Sequence, residues 1–115
     1  MVRALDVAIG LLFTGAAHAT DAGWALLREG GHVVLLRHAY APGSGEPANF
    51  DIDNCRTQRN LSERGRQQAR RIGALFDTRA EATERVLSSR YCLCLETAGI
   101  AFRDIKAEPL DALDP

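Results

Sequence analysis

An arginine and a histidine stand side by side at Arg37-His38, directly after the apolar run Val33-Val34-Leu35-Leu36. The pairing suggests anion chemistry. A guanidinium at the end of a buried strand is costly to desolvate unless an anion meets it. Phosphate oxygens match its planar fork through two parallel charge-assisted hydrogen bonds. The neighbouring imidazole could then serve as a general base, or attack phosphorus itself and carry the phosphoryl group as a phosphohistidine. The same two residues could equally be scaffolding, with the histidine capping a strand end, because perturbed charged groups also occur in purely structural settings.

For the pair to meet a ligand, the surrounding segments must form a parallel sheet. In open α/β sheets, ligands sit beyond the carboxyl ends of the strands. Residues 32–36 (HVVLL) follow a glycine pair and read as a strand buried on both faces. Residues 21–29 (DAGWALLRE) read as a short helix that Gly30-Gly31 ends. Residues 41–60 hold Pro42, Gly43, Gly45 and Pro47 and read as a loop, long enough to suggest function. Tyr40, Phe50 and the stretch between them are candidates for shaping a pocket mouth. Ser62 reads as a helix N-cap with Glu63 in the first turn. Ala69, Ile72, Leu75 and Phe76 share one face of that helix, while Arg64, Arg66, Arg70 and Arg71 fall largely on a solvated face. Residues 85–88 suggest a short strand, 91–102 a further helix, and 104–107 the start of a third strand. The alternation points to an α/β fold with a largely parallel sheet.

The bulk numbers set bounds. The chain has 115 residues, 46% hydrophobic and 25% charged, with a formal net charge of −1. That supports one domain and gives no electrostatic case for nucleic acid or an acidic membrane as partner. The first residues stand apart. Arg3 precedes an uncharged, mostly apolar run at 7–17 (VAIGLLFTGAA), and Ala17-His18-Ala19 puts small residues at the −3 and −1 positions of a cleavage site. Residues 1–19 therefore read as a secretory signal peptide, with a buried N-terminal helix as the other reading. The run is short for a membrane span, so none is expected after cleavage.

Export would bring Cys55, Cys92 and Cys94 into an oxidising compartment. Cys92 and Cys94, two apart on a helix, point in nearly opposite directions and are poor partners for each other. The expected bridge joins Cys55 to one of them, with Cys92 slightly favoured; the third cysteine is left free or intermolecular. A metal site from the Cys-x-Cys pair and His38 does not fit a known zinc spacing.

Three motifs in order, LRHA at 36–39, TQRNLSERGRQQARRIG at 57–73 and SSRYCLCLETA at 88–98, together resemble the histidine phosphatase superfamily of phosphoglycerate mutase-like fold. That family carries an Arg-His-Gly or Arg-His-Ala signature after its first strand. Its Leu-Ser/Thr-x-x-Gly-x-x-Gln-Ala helix start corresponds to Leu61, Ser62, Gly65, Gln68 and Ala69, and a Ser-x-x-x-Arg-x-x-x-Thr-Ala segment follows. With the leader and Asn54-Cys55, the set is similar to an exported bacterial branch, some of whose members act on phosphorylated lipopolysaccharide sugars. The resemblance implies that residues 20–115 are the N-terminal portion of a three-layer domain around a parallel sheet. It implies metal-independent phosphomonoester hydrolysis with no cofactor, on a small phosphorylated substrate, in the periplasm or outside the cell. Position by position, His38 matches the nucleophile and Arg37 the first arginine of the phosphate pocket, while Arg59 is a looser match to a further pocket arginine.

The chain departs from the family in two places. Where the second pocket arginine belongs, it has Leu93, which donates nothing to phosphate. By analogy with an oxyanion donor, such a loss costs about 10²–10³ in rate. Arg90 lies close enough in sequence to be a substitute in principle. The family's second histidine and acidic proton donor have no evident counterparts: the histidines are His18, His32 and His38, and Asp111 and Asp114 are the late acids. The domain is thus expected to be truncated. The alternative to an enzyme is an impaired or inactive remnant that at most binds a phosphate-bearing ligand.

Overall fold

The computed structural model describes residues 21–80 and 83–115; the leader at 1–19 lies outside the described residues. In chain order the elements are α1 (Asp21–Glu29), a 3₁₀ turn (Cys55–Thr57), α2 (Glu63–Arg79), β1 (Leu87–Ser88), α3 (Cys92–Ala101), β2 (Glu108–Pro109) and a second 3₁₀ turn (Asp111–Leu113). The architecture is a mixed helix–strand domain with a two-stranded parallel sheet.

Local chemistry accounts for the helices. Ser62 caps α2, its Oγ accepting the Gly65 N–H at 3.1 Å, and Glu63 adds negative charge beside the positive end of the helix dipole. Arg28 closes the other end, donating from Nη1 to the Arg79 carbonyl at 2.6 Å. Of the predicted apolar face of α2, Ala69 is buried, Ile72 and Phe76 are half-buried and Leu75 is exposed. α2 and α3 pack closely because both carry small residues at the crossing. A side chain at Gly73 would overlap the Ala101 carbonyl oxygen, so glycine is required there. An edge-to-face run of rings, Trp24 on Phe76 at 5.3 Å and Phe76 on Phe102 at 5.2 Å, fastens α1 to the far ends of α2 and α3.

The sheet differs from the expectation. Residues 32–36 do not form a strand: they carry no regular structure, and Val33 and Leu35 are 89% and 85% exposed. A strand is stable only with a neighbour to take its N–H and C=O groups, and no described segment pairs with residues 32–36; the sheet consists of β1 and β2, Leu87 opposite Glu108 and Ser88 opposite Pro109. The strand expected to start at 104–107 is β2, at Glu108–Pro109, because turns closing α3 extend past Phe102, with the Ile105 N–H donating to the Phe102 carbonyl at 3.2 Å. Arg85 grips Glu108 through Nε and Nη2 at 3.1 and 2.9 Å, which tightens the pairing and holds the Glu108 carboxyl below its ordinary range.

Beside the buried Trp24, the core is made of small and medium side chains. Ala39, Ala41, Leu61, Ala69 and Leu93 form one buried cluster, with Tyr91, Cys94 and Ile100 against it. So little apolar volume leaves a modest margin of stability. The Cys55–Cys92 disulfide adds to it by tying the first 3₁₀ turn to the start of α3. The bridge is the favoured of the two expected pairings, leaves Cys94 as a free thiol, and removes Cys92 from any metal-ligand set. Among the described residues, no helix is long and apolar enough to cross a membrane.

Candidate active site

The segment from His38 to Ala41 is held without a sheet. The Ala39 N–H donates to Thr97 Oγ1 at 3.0 Å, and the Tyr40 N–H to Gln68 Oε1 at 2.8 Å. The Tyr40 carbonyl in turn accepts the Ser62 N–H at 3.3 Å. Thr97 serves twice, its hydroxyl donating to the Leu93 carbonyl one turn back in α3 at 2.7 Å. The first turn of α2 lies so close that a side chain at Gly65 would overlap the Tyr40 carbonyl oxygen. Ser62, Gly65, Gln68 and Thr97 belong to the motif positions quoted above. Their physical task is to grip the backbone that follows His38.

This grip orients the imidazole. His38 Nδ1 lies 2.7 Å from the Ala39 carbonyl oxygen. A carbonyl can only accept, so Nδ1 carries the proton and Nε2 keeps its lone pair in the neutral ring. The half-buried ring lines a cavity of about 260 Å³ together with Arg59, Glu46 and Cys94. Leu93, 2% exposed, also lines it, as does Tyr91, whose ring rests on Phe50 at 4.9 Å. A larger hollow of about 420 Å³ lies at the C-terminal end of α2, between Phe76, Phe102 and Ile105, and no histidine or cysteine lines it.

Of the residues singled out in the sequence, His38 and Arg59 meet in the smaller cavity, while Arg37 does not line it. The Arg37 side chain is exposed and makes no hydrogen bond or ion pair with the described residues. Tyr40 is also outside the cavity, its ring lying under the Arg64 guanidinium at 5.5 Å. Arg90 is committed elsewhere. Its Nε and Nη2 reach Asp114 Oδ2 at 2.7 and 2.6 Å, and Nε also pairs with Asp111 at 3.1 Å. Ser89 Oγ and the Arg90 N–H donate to the other Asp114 oxygen at 2.7 and 2.9 Å. These bonds, that of Ser89 foremost, hold the Asp114 carboxyl below its ordinary range. An ionised carboxylate in such a network does not donate a proton near neutral pH, and Asp111 does not line the cavity.

Two contributors escaped the sequence reading. Glu46 faces Arg59: its Oε1 accepts the Arg59 N–H at 2.9 Å and its Oε2 lies 3.9 Å from Arg59 Nε. Gln58, buried, donates from Nε2 to the Asp51 and Ile52 carbonyls at 3.0 and 3.1 Å and accepts the Cys92 N–H on Oε1 at 2.9 Å. It thereby caps α3, whose N-cap Tyr91 has no side-chain oxygen in place. A polar residue beside the candidate Arg59 was the available signal for Gln58; nothing local marked Glu46. The Cys94 thiol is pushed up by burial, which keeps it protonated and a poor nucleophile.

Comparison with known proteins returns no family model, no curated protein and no solved structure that matches this chain.

Proposed function

We propose that the chain is a phosphoryl-transfer protein of the histidine phosphatase type, hydrolysing a small phosphomonoester through a phosphohistidine on His38. The observation that carries the reading is the 2.7 Å approach of His38 Nδ1 to the Ala39 carbonyl, which leaves Nε2 without a hydrogen-bond partner among the described residues, on a ring that lines a cavity with Arg59. Nε2 attacks phosphorus and the P–O bond to the alcohol breaks, the departing alkoxide taking its proton from solvent water because no acid among the described residues is placed to give one; water then attacks the phosphohistidine, breaks the N–P bond and releases phosphate and neutral His38. Arg59 supplies positive charge to the phosphoryl oxygens, and no metal is needed for that task. The role of Arg37 as a clamp rests on the motif resemblance. The same reading places the helices and the parallel pair in a phosphoglycerate mutase-like α/β domain. The disulfide suits an oxidising compartment, so export to the periplasm and a phosphorylated envelope sugar as substrate complete the proposal.

Leu93 favours a second reading. An apolar side chain stands in the cavity wall where the motif calls for a donor, which suits a protein that binds phosphate esters with little or no turnover. Turnover of a chromogenic phosphomonoester by the purified chain, beside His38→Ala, separates the two. The enzyme reading expects an acid-labile phosphoryl label on the unmodified chain and none on His38→Ala. Equal rates for the two proteins favour the binding reading. A Leu93→Arg variant that gains about 10²–10³ in rate would identify the apolar wall as the limiting defect.

A further inference from the structure

We infer that Glu46 is the resident anion of the His38 cavity, holding Arg59 in the ligand-free protein and giving it up when a phosphoryl group arrives. The inference rests on the reading of this cavity as a phosphoryl site and adds the device that sets its affinity.

The guanidinium is only partly satisfied. Nη1 is used up by the backbone, donating to the Ala41 and Gly43 carbonyls at 3.0 and 3.2 Å. Nε is fully buried and has no hydrogen-bond partner. Its nearest carboxylate oxygen, Glu46 Oε2, stands at 3.9 Å, close enough for charge attraction and too far for a hydrogen bond. A buried donor aimed at an acceptor it does not reach is an unfinished contact. A phosphoryl oxygen at the usual charge-assisted distance would complete it, and a second oxygen could meet Nη2 along the same edge of the fork.

Glu46 stands in the way of that contact. Both side chains are only 19% exposed, and both line the cavity with His38. Two anions cannot share Nε, and a carboxylate facing a phosphoryl group repels it. The two Glu46 contacts differ in kind. Oε1 is anchored to the Arg59 backbone N–H, whereas Oε2 holds the side chain only loosely. Rotation of the carboxylate can release the second contact and keep the first. Gly45, which also lines the cavity and adopts φ +67°, gives the loop a glycine hinge directly before Glu46. Glu46 therefore positions Arg59 in the empty site, weakens phosphate binding, and favours departure of the phosphate product.

The test is binding of inorganic phosphate to the full chain at fixed ionic strength, by titration calorimetry, for the unmodified protein, Glu46→Gln and Glu46→Gln/Arg59→Ala. Glutamine keeps an oxygen for the Arg59 N–H and removes the charge, so the protein should stay folded, with a melting temperature lowered only by the loss of one loose ion pair. Phosphate should bind about tenfold more tightly to Glu46→Gln, roughly what one partly screened charge contributes beside a site. The gain should vanish in the double variant. If the chain turns over a phosphomonoester, KM should fall with the phosphate affinity while kcat does not rise. Binding to Glu46→Gln that is equal or weaker overturns the inference and leaves the phosphoryl-site reading standing; Glu46 would then be a structural partner of Arg59. No phosphate binding by any of the three proteins overturns both.

Discussion

The residues on either side of Arg37 have opposite fates. Residues 33–36 are the most strand-like stretch in the chain, yet they pair with nothing described and leave Val33 and Leu35 in solvent. Residues 38–41 contain two alanines and little β-propensity, yet Ala39 is 1% exposed and Ala41 is 6% exposed. The difference is in what each segment is offered. The first needs a strand alongside it to satisfy its backbone, and among the described residues the sheet pairs β1 with β2 alone. The second is met by side chains of two helices, Gln68 of α2 and Thr97 of α3, and by the Ser62 backbone. A candidate catalytic residue can thus be fixed by helix side chains acting on backbone, with no strand pairing at that segment among the described residues.

Breaking the held side should have the largest effect. The double variant Cys55→Ser/Cys92→Ser removes the link between the 3₁₀ turn and α3, and with it the frame around Gln58 and Arg59. Closure of a loop of this size stabilises by about 3–4 kcal/mol on the chain-entropy model, a large share of what so small a core supplies. The expected outcome in urea melts is loss of most of the folding free energy. A midpoint that does not move would mean the frame stands without the bridge. The next effect is smaller. Gly65→Ala pushes a methyl group into the Tyr40 carbonyl and should cost about 1–3 kcal/mol. It should also depress any His38-dependent activity, because Tyr40 is two residues from the imidazole. A neutral Gly65→Ala would show that α2 is not docked on that backbone.

What could be read in the sequence follows the same division. Features fixed within a few residues were legible: the Ser62 cap, the helix ended by Gly30-Gly31, and the poor match of Cys92 to Cys94. His38 and Arg59, both singled out by the motif letters, line the same cavity. The rest depends on contacts between distant segments. Whether residues 32–36 become a strand is decided by whether a distant segment comes alongside them, and the two short strands pair with each other alone. Glu46 reaches Arg59, 13 positions further along, and no spacing rule marks that approach. Arg90 looked available for the cavity, but the two aspartates that claim it lie more than 20 residues further on. Arg37 adjoins His38 in sequence and still faces solvent, because neighbouring backbone positions need not share a direction.

The smallest effect is the most informative about the comparison. Leu35→Ser replaces an 85%-exposed leucine on the unpaired side, so the folded state loses little buried area. Exposed substitutions away from caps, turns and cores shift stability by within about 0.5 kcal/mol, and that is the expected result in urea. The contrast is with a buried strand leucine, where deletion of the side chain costs about 2–5 kcal/mol. Thr97→Val is the natural companion measurement. It keeps the shape at the other side of Arg37 but leaves the buried Ala39 N–H without its acceptor, for an expected cost of about 1–3 kcal/mol. A cost for Leu35→Ser above that for Thr97→Val would reverse the ranking. It would mean that residues 33–36 are packed in solution, and that the sheet, with helix side chains only assisting, is what holds His38.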